Sequence, residues 1–424
     1  MTTKLRTTLL FLFFSVTLFA QQPKGIFGAT NWMNIWTNFK PAQTDYNEAT
    51  NIIAGVIDKN TTLYKKNTYE LVGVVYVTNN AILTIEPGTV IRGDEKTCGT
   101  LVITKGSKII AEGTETDPIV FTSNKNTANR RPGDWGGLIL LGQAPINKIG
   151  GMGFLDFNLE PAFSQYGGGN PEDNSGILKY VRIEFSGRKL NALKELNGLS
   201  MAGVGNKTKL ECIQISFSND DSFECYGGNV ILNNLISYRT TDDDFDFTQG
   251  VQAQINNSIA IRYPFSSDIS GSRCFEIDSF DKAENADFTQ KMTKITANNM
   301  TLVNMEENQQ GLVREAIYIK EKSELSLNNS VVSGFSPFML LDKKMGYLSV
   351  NLGKIKLQDV LVNNCTGKIV SESPEYNPEI DNWYSANSFK TDFTSIQKTD
   401  LFADISLKNT PDFRLRMNNV LAGN

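Results

Sequence analysis

Along this chain, apolar and polar residues alternate only over short runs before a Gly, Pro or Asn interrupts them. "LTIEPGTVIRG" (83–93) aligns with "LVITKGSKIIAEG" (101–113), matching Leu83 with Leu101, Ile85 with Ile103 and Gly88 with Gly106. Alternation with a period of two places the apolar set on one face of a strand. Each unit therefore predicts a strand, a Gly turn and a second strand. "DPIVFTSN" (117–124) and "GDWGGLILLGQAPIN" (133–147) add further strands closed by Gly or Pro. The strands are not separated by helical periodicity; "RKLNALKELNG" (188–198) alone predicts a helix, as an insertion.

Farther along, the punctuation changes to Asn. "ILNNLIS" (231–237), "QINNSIA" (254–260), "TANNMTL" (296–302) and "SLNNSVV" (326–332) recur, with "KLQDVLV" (356–362) a looser copy. Asn233, Asn256, Asn298 and Asn328 are expected at one corner, where Asn tolerates left-handed backbone angles and stacked copies form an amide ladder. Short strands at a period of about 20–25 residues predict an all-β, right-handed parallel β-helix, each coil lying on the one before it. A jelly roll or sandwich would not need the same Asn at the same corner in successive repeats. The organisation read from this is a leader at 1–20, an N-terminal cap at 21–79 carrying Trp32, Trp36, Tyr46, Tyr64 and Tyr69, the β-helix at 80–371, and a capping tail at 372–424. Caps are expected because the open end of a solenoid exposes a strand edge. "GGMGF" (150–154) and "YGGGNPED" (166–173) read as insertions between coils.

Composition narrows the function. Lys4 and Arg6 followed by an apolar run from Leu9 to Phe19 and by Ala20 read as a secretory leader, so the protein is expected in the periplasm, at the outer membrane or outside the cell. No later run predicts a transmembrane segment, and no Cys follows the expected cleavage point. A net charge of -5 without a basic stripe argues against nucleic-acid binding. Histidine is absent, which removes Ser/His and Cys/His nucleophile pairs and histidine zinc sites. Cys98, Cys212, Cys225, Cys274 and Cys365 form no CxxC; they read as buried small hydrophobes, although Cys212 with Cys225 could bridge in an oxidising compartment. Trp135 in "GDWGG" reads as a core or corner aromatic rather than a sugar platform.

The chemistry concentrates in "DDSFECYGG" (220–228), "DDDFDFTQG" (242–250) and "SRCFEIDS" (272–279). These align through Phe223, Phe245 and Phe275, each followed by an acid: Glu224, Asp246 and Glu276. Strand alternation points the Phe residues inward and predicts Asp244 and Asp246 outward. Stacked at about 4.8 Å, two carboxylates repel by about 0.9 kcal/mol in water and roughly 3–4 kcal/mol at an effective dielectric near 20. Such a column calls for compensation, from a bound Ca²⁺ held by Asp221, Asp243 and Asp246 or from Arg239, Arg262 and Arg273. For Asp220, Asp221, Asp242, Asp243 and Asp244 the alternative is a turn-forming role, capping backbone N–H groups before each strand.

"IEPGTVIRG" (85–93), "PIVFTS" (118–123), "GDWGGLILLGQAPIN", "DNSGILKYVRIEFSG" (173–187) and the two acidic segments together resemble a family of exported parallel β-helix proteins common in Bacteroidota, associated with the surface or outer membrane. The resemblance implies location and architecture but supplies no catalytic set. Two functions follow as expectations. One is a non-catalytic envelope protein that binds a polysaccharide or an outer-membrane protein partner through its acidic face. The other is a Ca²⁺-dependent polysaccharide lyase or other glycan-active enzyme, since pectate lyases share the fold.

Overall fold

The computed structural model describes residues 23–416 apart from 193, 264–266, 268–270, 306–312, 347–348, 374–376 and 387–388. The expected leader lies outside the described residues. A continuous system of 28 strands winds into three parallel walls. One coil shows the plan. Residues 229–233 lie in the first wall, A. The chain turns at Asn234 into 235–238 of the second wall, B. A loop then leads to Phe245–Thr248 in the third wall, C, and a Gln249–Gly250 turn returns it to wall A at Gln252–Asn256. Each strand pairs in parallel with its equivalent in the next coil, so Phe223 meets Phe245, which meets Phe275, then Ile317 and Met339.

The inward side chains of all three walls merge into one core. The rings of Phe223, Phe245 and Phe275 stack with 5.3 Å between successive centroids, and full burial stabilises by about 1.5–3 kcal/mol per side chain. Trp135, 1% exposed, is a core residue that stacks on Phe121 at 6.4 Å and donates its indole N–H to Glu184 O at 2.8 Å.

The Asn repeat forms the amide ladder in wall A. Asn256 Nδ2 donates to Asn233 Oδ1 at 3.0 Å, Asn298 to Asn256 at 2.9 Å and Asn328 to Asn298 at 2.9 Å. These residues do not make the left-handed turn, however. The second Asn of each pair does: Asn234, Asn257, Asn299 and Asn329 have φ between 47° and 55°, in line with Tyr180, Cys212 and Asp359. The first Asn stays in the extended strand, where parallel register carries one amide to the next. The second takes the conformation that short polar side chains tolerate best.

The chain ends differ from expectation. Strands begin at Asn51, so 51–77 are coils of the stack rather than part of a cap. Residues 23–50 form a lengthwise strap over the outer face of wall B. Gly25 N–H donates to Asn329 O (2.7 Å), Phe27 N–H to Asn257 Oδ1 (2.8 Å), Asn38 N–H to Gln214 Oε1 (2.7 Å) and Tyr46 O–H to Glu184 Oε1 (3.0 Å), running from late coils to early ones. The reason lies in wall B itself, whose outward residues Ile236, Ile259, Ile261 and Val331 are apolar and are covered by Ile26, Met33 and Trp36. In the tail, the helix Pro378–Ala386 lays Ile380 and Trp383 over the end of the core, whereas Leu401, Phe402 and Phe413 join the strap on wall B.

Two further expectations are corrected. In place of the helix expected within 188–198, Lys189–Asn191 pairs antiparallel with Lys194–Glu195. All five cysteines are free: Cys225 faces the core while Cys212 faces outward beneath the strap, on opposite sides of the solenoid shell, so they cannot bridge. The insertion over the C-to-A corner is anchored, with Tyr166 O–H donating to Gln249 Oε1 at 2.7 Å.

Candidate functional site: a carboxylate groove on wall C

Register turns the three aligned acidic segments into a grid on the outer face of wall C. The middle column reads Ser200, Glu224, Asp246, Glu276, Tyr318. Before it, at the turn into wall C, stand Asp221, Asp243, Arg273 and Glu315; after it, Tyr226, Thr248, Asp278 and Lys320. Asp221, Asp242, Asp243, Asp246, Arg273, Glu276, Tyr318, Lys320 and Glu372 line one polar groove of about 320 Å³. Glu224 lies beside it, accepting hydrogen bonds from Asn197 and Tyr226. Asp220 stands at the rim, an oxygen of it within 4.8 Å of oxygens of Asp221 and Asp242.

Two further groups share one member. Oxygens of Asp221, Glu224 and Asp246 lie within 4.8 Å of one another, as do oxygens of Asp243, Asp246 and Glu276. Asp246 Oδ1 is buried and no hydrogen-bond donor reaches it among the described residues. Burial, reinforced by neighbouring carboxylates, raises Asp221, Asp243 and Asp246 well above the usual carboxylate range. Glu224 rises to about 7, chiefly through burial, with Tyr226 and Asn197 pulling it back. Asp278 also rises to about 7 through burial, against the pull of Lys320.

The turn-forming role exists beside this one. Asp221 Oδ1 accepts from Asp243 N–H at 2.9 Å, and Asp243 Oδ1 accepts from Arg273 N–H. One acid thus fastens the next coil's backbone while its remaining charge faces the groove.

The three arginines have separate fates. Arg273 pairs with Glu276 and Glu315, each at 2.9 Å, and lies 4.7 Å over the Tyr318 ring. Arg262 does not reach the outer column: it is 1% exposed and pairs at 2.9 Å with Asp244, which is 0% exposed and also bound by Ser237. Asp244 was expected to point outward. It sits instead at the corner where wall B passes into wall C, so strict alternation fails there and its side chain turns inside. Arg239 packs against aromatics away from the groove, 3.7 Å over the Tyr263 ring.

The sequence reading missed Lys320, Tyr318, Asp278 and Glu372. "IYIK" (317–320) carries no acidic-aromatic signature, and only its register beneath "FEID" (275–278) brings Tyr318 under Glu276 and Lys320 beside Asp278. Lys320 pairs with Asp278 at 3.1 Å and with Glu276. Burial lowers Lys320, but Glu276 and Asp278 outweigh it and hold the ammonium charged. The same contest, with Glu276, Asp243 and Glu315 outweighing burial, raises Arg273.

A fold of stacked parallel coils with an acidic groove on one wall defines a class, the parallel β-helix proteins. Within that class, residues 55–403 match the family described as "pectate-lyase like beta helix domain", and the chain belongs to that family. No curated protein matches the chain. No helix among the described residues is long and apolar enough to cross a membrane.

Proposed function

We propose that this is an exported, non-catalytic glycan-binding β-helix whose wall C groove takes a hard divalent cation, Ca²⁺, and through it an anionic polysaccharide. The observation that carries the reading is Asp246: common to two of the three carboxylate groups, with a buried oxygen to which no described residue donates. Ca²⁺ accepts six to eight oxygen ligands, and Asp221, Asp243 and Asp246 with Glu224 and Glu276 supply carboxylate oxygens only, the donor set such an ion prefers. A bound dication would also relieve the repulsion of the column, which its two neighbouring cations offset only on the Glu276 side.

Binding is favoured over a lyase reaction for a physical reason. An Arg or Lys base must surrender its proton, and the cations lining the groove among the described residues, Arg273 and Lys320, are both held in their charged forms by the acids around them. The fold is one shared with glycan-active proteins, which supports a glycan as the ligand.

The test is calorimetry with Ca²⁺ on the wild type and on Asp246→Asn, followed by retention of acidic polysaccharides with and without chelator. The expected result is Ca²⁺ binding lost in the variant and chelator-sensitive retention without new unsaturated or reducing ends. Product formation would replace the binding reading with the enzymatic one. N-terminal sequencing of secreted material, expected to begin near Gln21, tests export.

A further inference from the structure

We infer a second ligand site, for a single hydroxyl-bearing sugar unit, in the cleft where the insertion crosses the C-to-A corner. The cleft holds about 210 Å³ and is formed by Pro145, Ile146 and Pro171 on the insertion side, by Gly228, Asn229, Gly250 and Gln252 from two successive coils, and by Gln290 with Lys291. At roughly 30 Å³ per water molecule this is space for about seven waters, too small for an oligosaccharide and adequate for one ring.

Its floor is built rather than incidental. Gly228 N–H donates to Pro145 O at 2.8 Å, and Gln252 N–H donates to Gly228 O at 3.0 Å, so insertion and coils are tied together. Gly228 and Gly250 have φ of 96° and 79°, and a Cβ would lie 2.5 Å from Val204 O and 2.4 Å from Lys291 O respectively. No larger residue fits either position, so both glycines let the coils and the insertion close tightly beneath the cleft. The Gln252 amide nitrogen is spent on Gly250 O (3.0 Å) and Met292 O (2.9 Å), an arrangement that fixes the amide plane.

The chemistry fits a sugar. Two prolines and an isoleucine offer an aliphatic wall for the C–H face of a ring, while the Asn229 and Gln290 amides can both donate to and accept from hydroxyls and the Gln252 carbonyl oxygen can accept. Among the described residues no carboxylate lines the cleft, so it carries no anionic charge to draw a cation, and Lys291 at the rim admits a neutral or an acidic ring. The site stands on different residues from the wall C groove and does not depend on the cation reading.

Saturation-transfer NMR with glucose, galactose, N-acetylglucosamine and galacturonic acid, run without Ca²⁺, tests it. At least one sugar should show transfer in the wild type. The rim variant Gln290→Ala with Lys291→Ala, both exposed positions, should weaken binding by about tenfold, the scale of one or two lost hydrogen bonds. Asp246→Asn should leave it unchanged. Absence of transfer for all four sugars overturns the inference, as does binding that survives the rim variant and disappears in Asp246→Asn. If the sugar binds here while Ca²⁺ binding fails on wall C, this site stands and the groove reading falls.

Discussion

Walls A and C solve the same geometric problem with opposite chemistry. Both stack like residues in register: Asn233, Asn256, Asn298 and Asn328 on one, Glu224, Asp246 and Glu276 on the other. An amide carries a donor and an acceptor, so each Asn satisfies the next and the column closes on itself at 2.9–3.0 Å. An ionised carboxylate only accepts, so its column repels and must find protons or a cation elsewhere. Repetition on wall A yields rigidity. On wall C the same repetition leaves an unmet electrostatic demand, and unmet demand of that kind is what a binding site has to offer.

The contrast can be broken in graded steps. The largest effect is expected from Arg262→Met, which strands the fully buried Asp244. Removing one partner of a buried pair costs about 3–5 kcal/mol, and the denaturation midpoint in urea should fall accordingly. Next comes Asn298→Asp, which puts a wall C residue type into wall A: it deprives Asn256 Oδ1 of its donor and brings in a charge, for a loss of about 2 kcal/mol at pH 7. The reverse exchange, Asp246→Asn, should stabilise the cation-free protein by about 1 kcal/mol, because it removes like-charge repulsion on both sides. A loss of stability in that variant would show that Asp246 serves the fold rather than a ligand.

The last step uses pH alone. Unfolded carboxyl groups release protons near pH 4, whereas Glu224 and Asp278 keep theirs to about pH 7 in the fold. Between these values the native state binds more protons than the unfolded one, so stability falls as pH rises through this window. Thermal melts of chelated protein should therefore show a higher midpoint near pH 5 than near pH 8. Added Ca²⁺ should raise the midpoint most at pH 8, where the carboxylates are free to bind it.

The repeating parts of this molecule were legible and the non-repeating parts were not. Phe223, Phe245 and Phe275 announce their column because the acid after each Phe repeats the register in the text. Tyr318 and Lys320 complete the groove without any such mark, since a spacing interrupted by long loops hides which residues are stacked. Residues 23–50 failed as an end cap for a related reason. Their aromatics signal burial, yet nothing local says that the surface awaiting them is the apolar outer face of wall B, built from Ile236 to Val331.

By itself, the order of residues determined the coil: alternation chose strands, the paired Asn chose a ladder and a turn, and the clustered acids chose a charged wall. These are properties of neighbours in the chain, set by strand pleat and backbone sterics. Only the stacked structure decided that Asp244 and Arg262 withdraw into the core while Asp221, Asp243, Asp246 and Glu276 converge with Arg273 and Lys320. Whether a charge faces water, a partner or another charge depends on coils far apart in sequence and about 4.8 Å apart in space, and electrostatic energy follows the second distance.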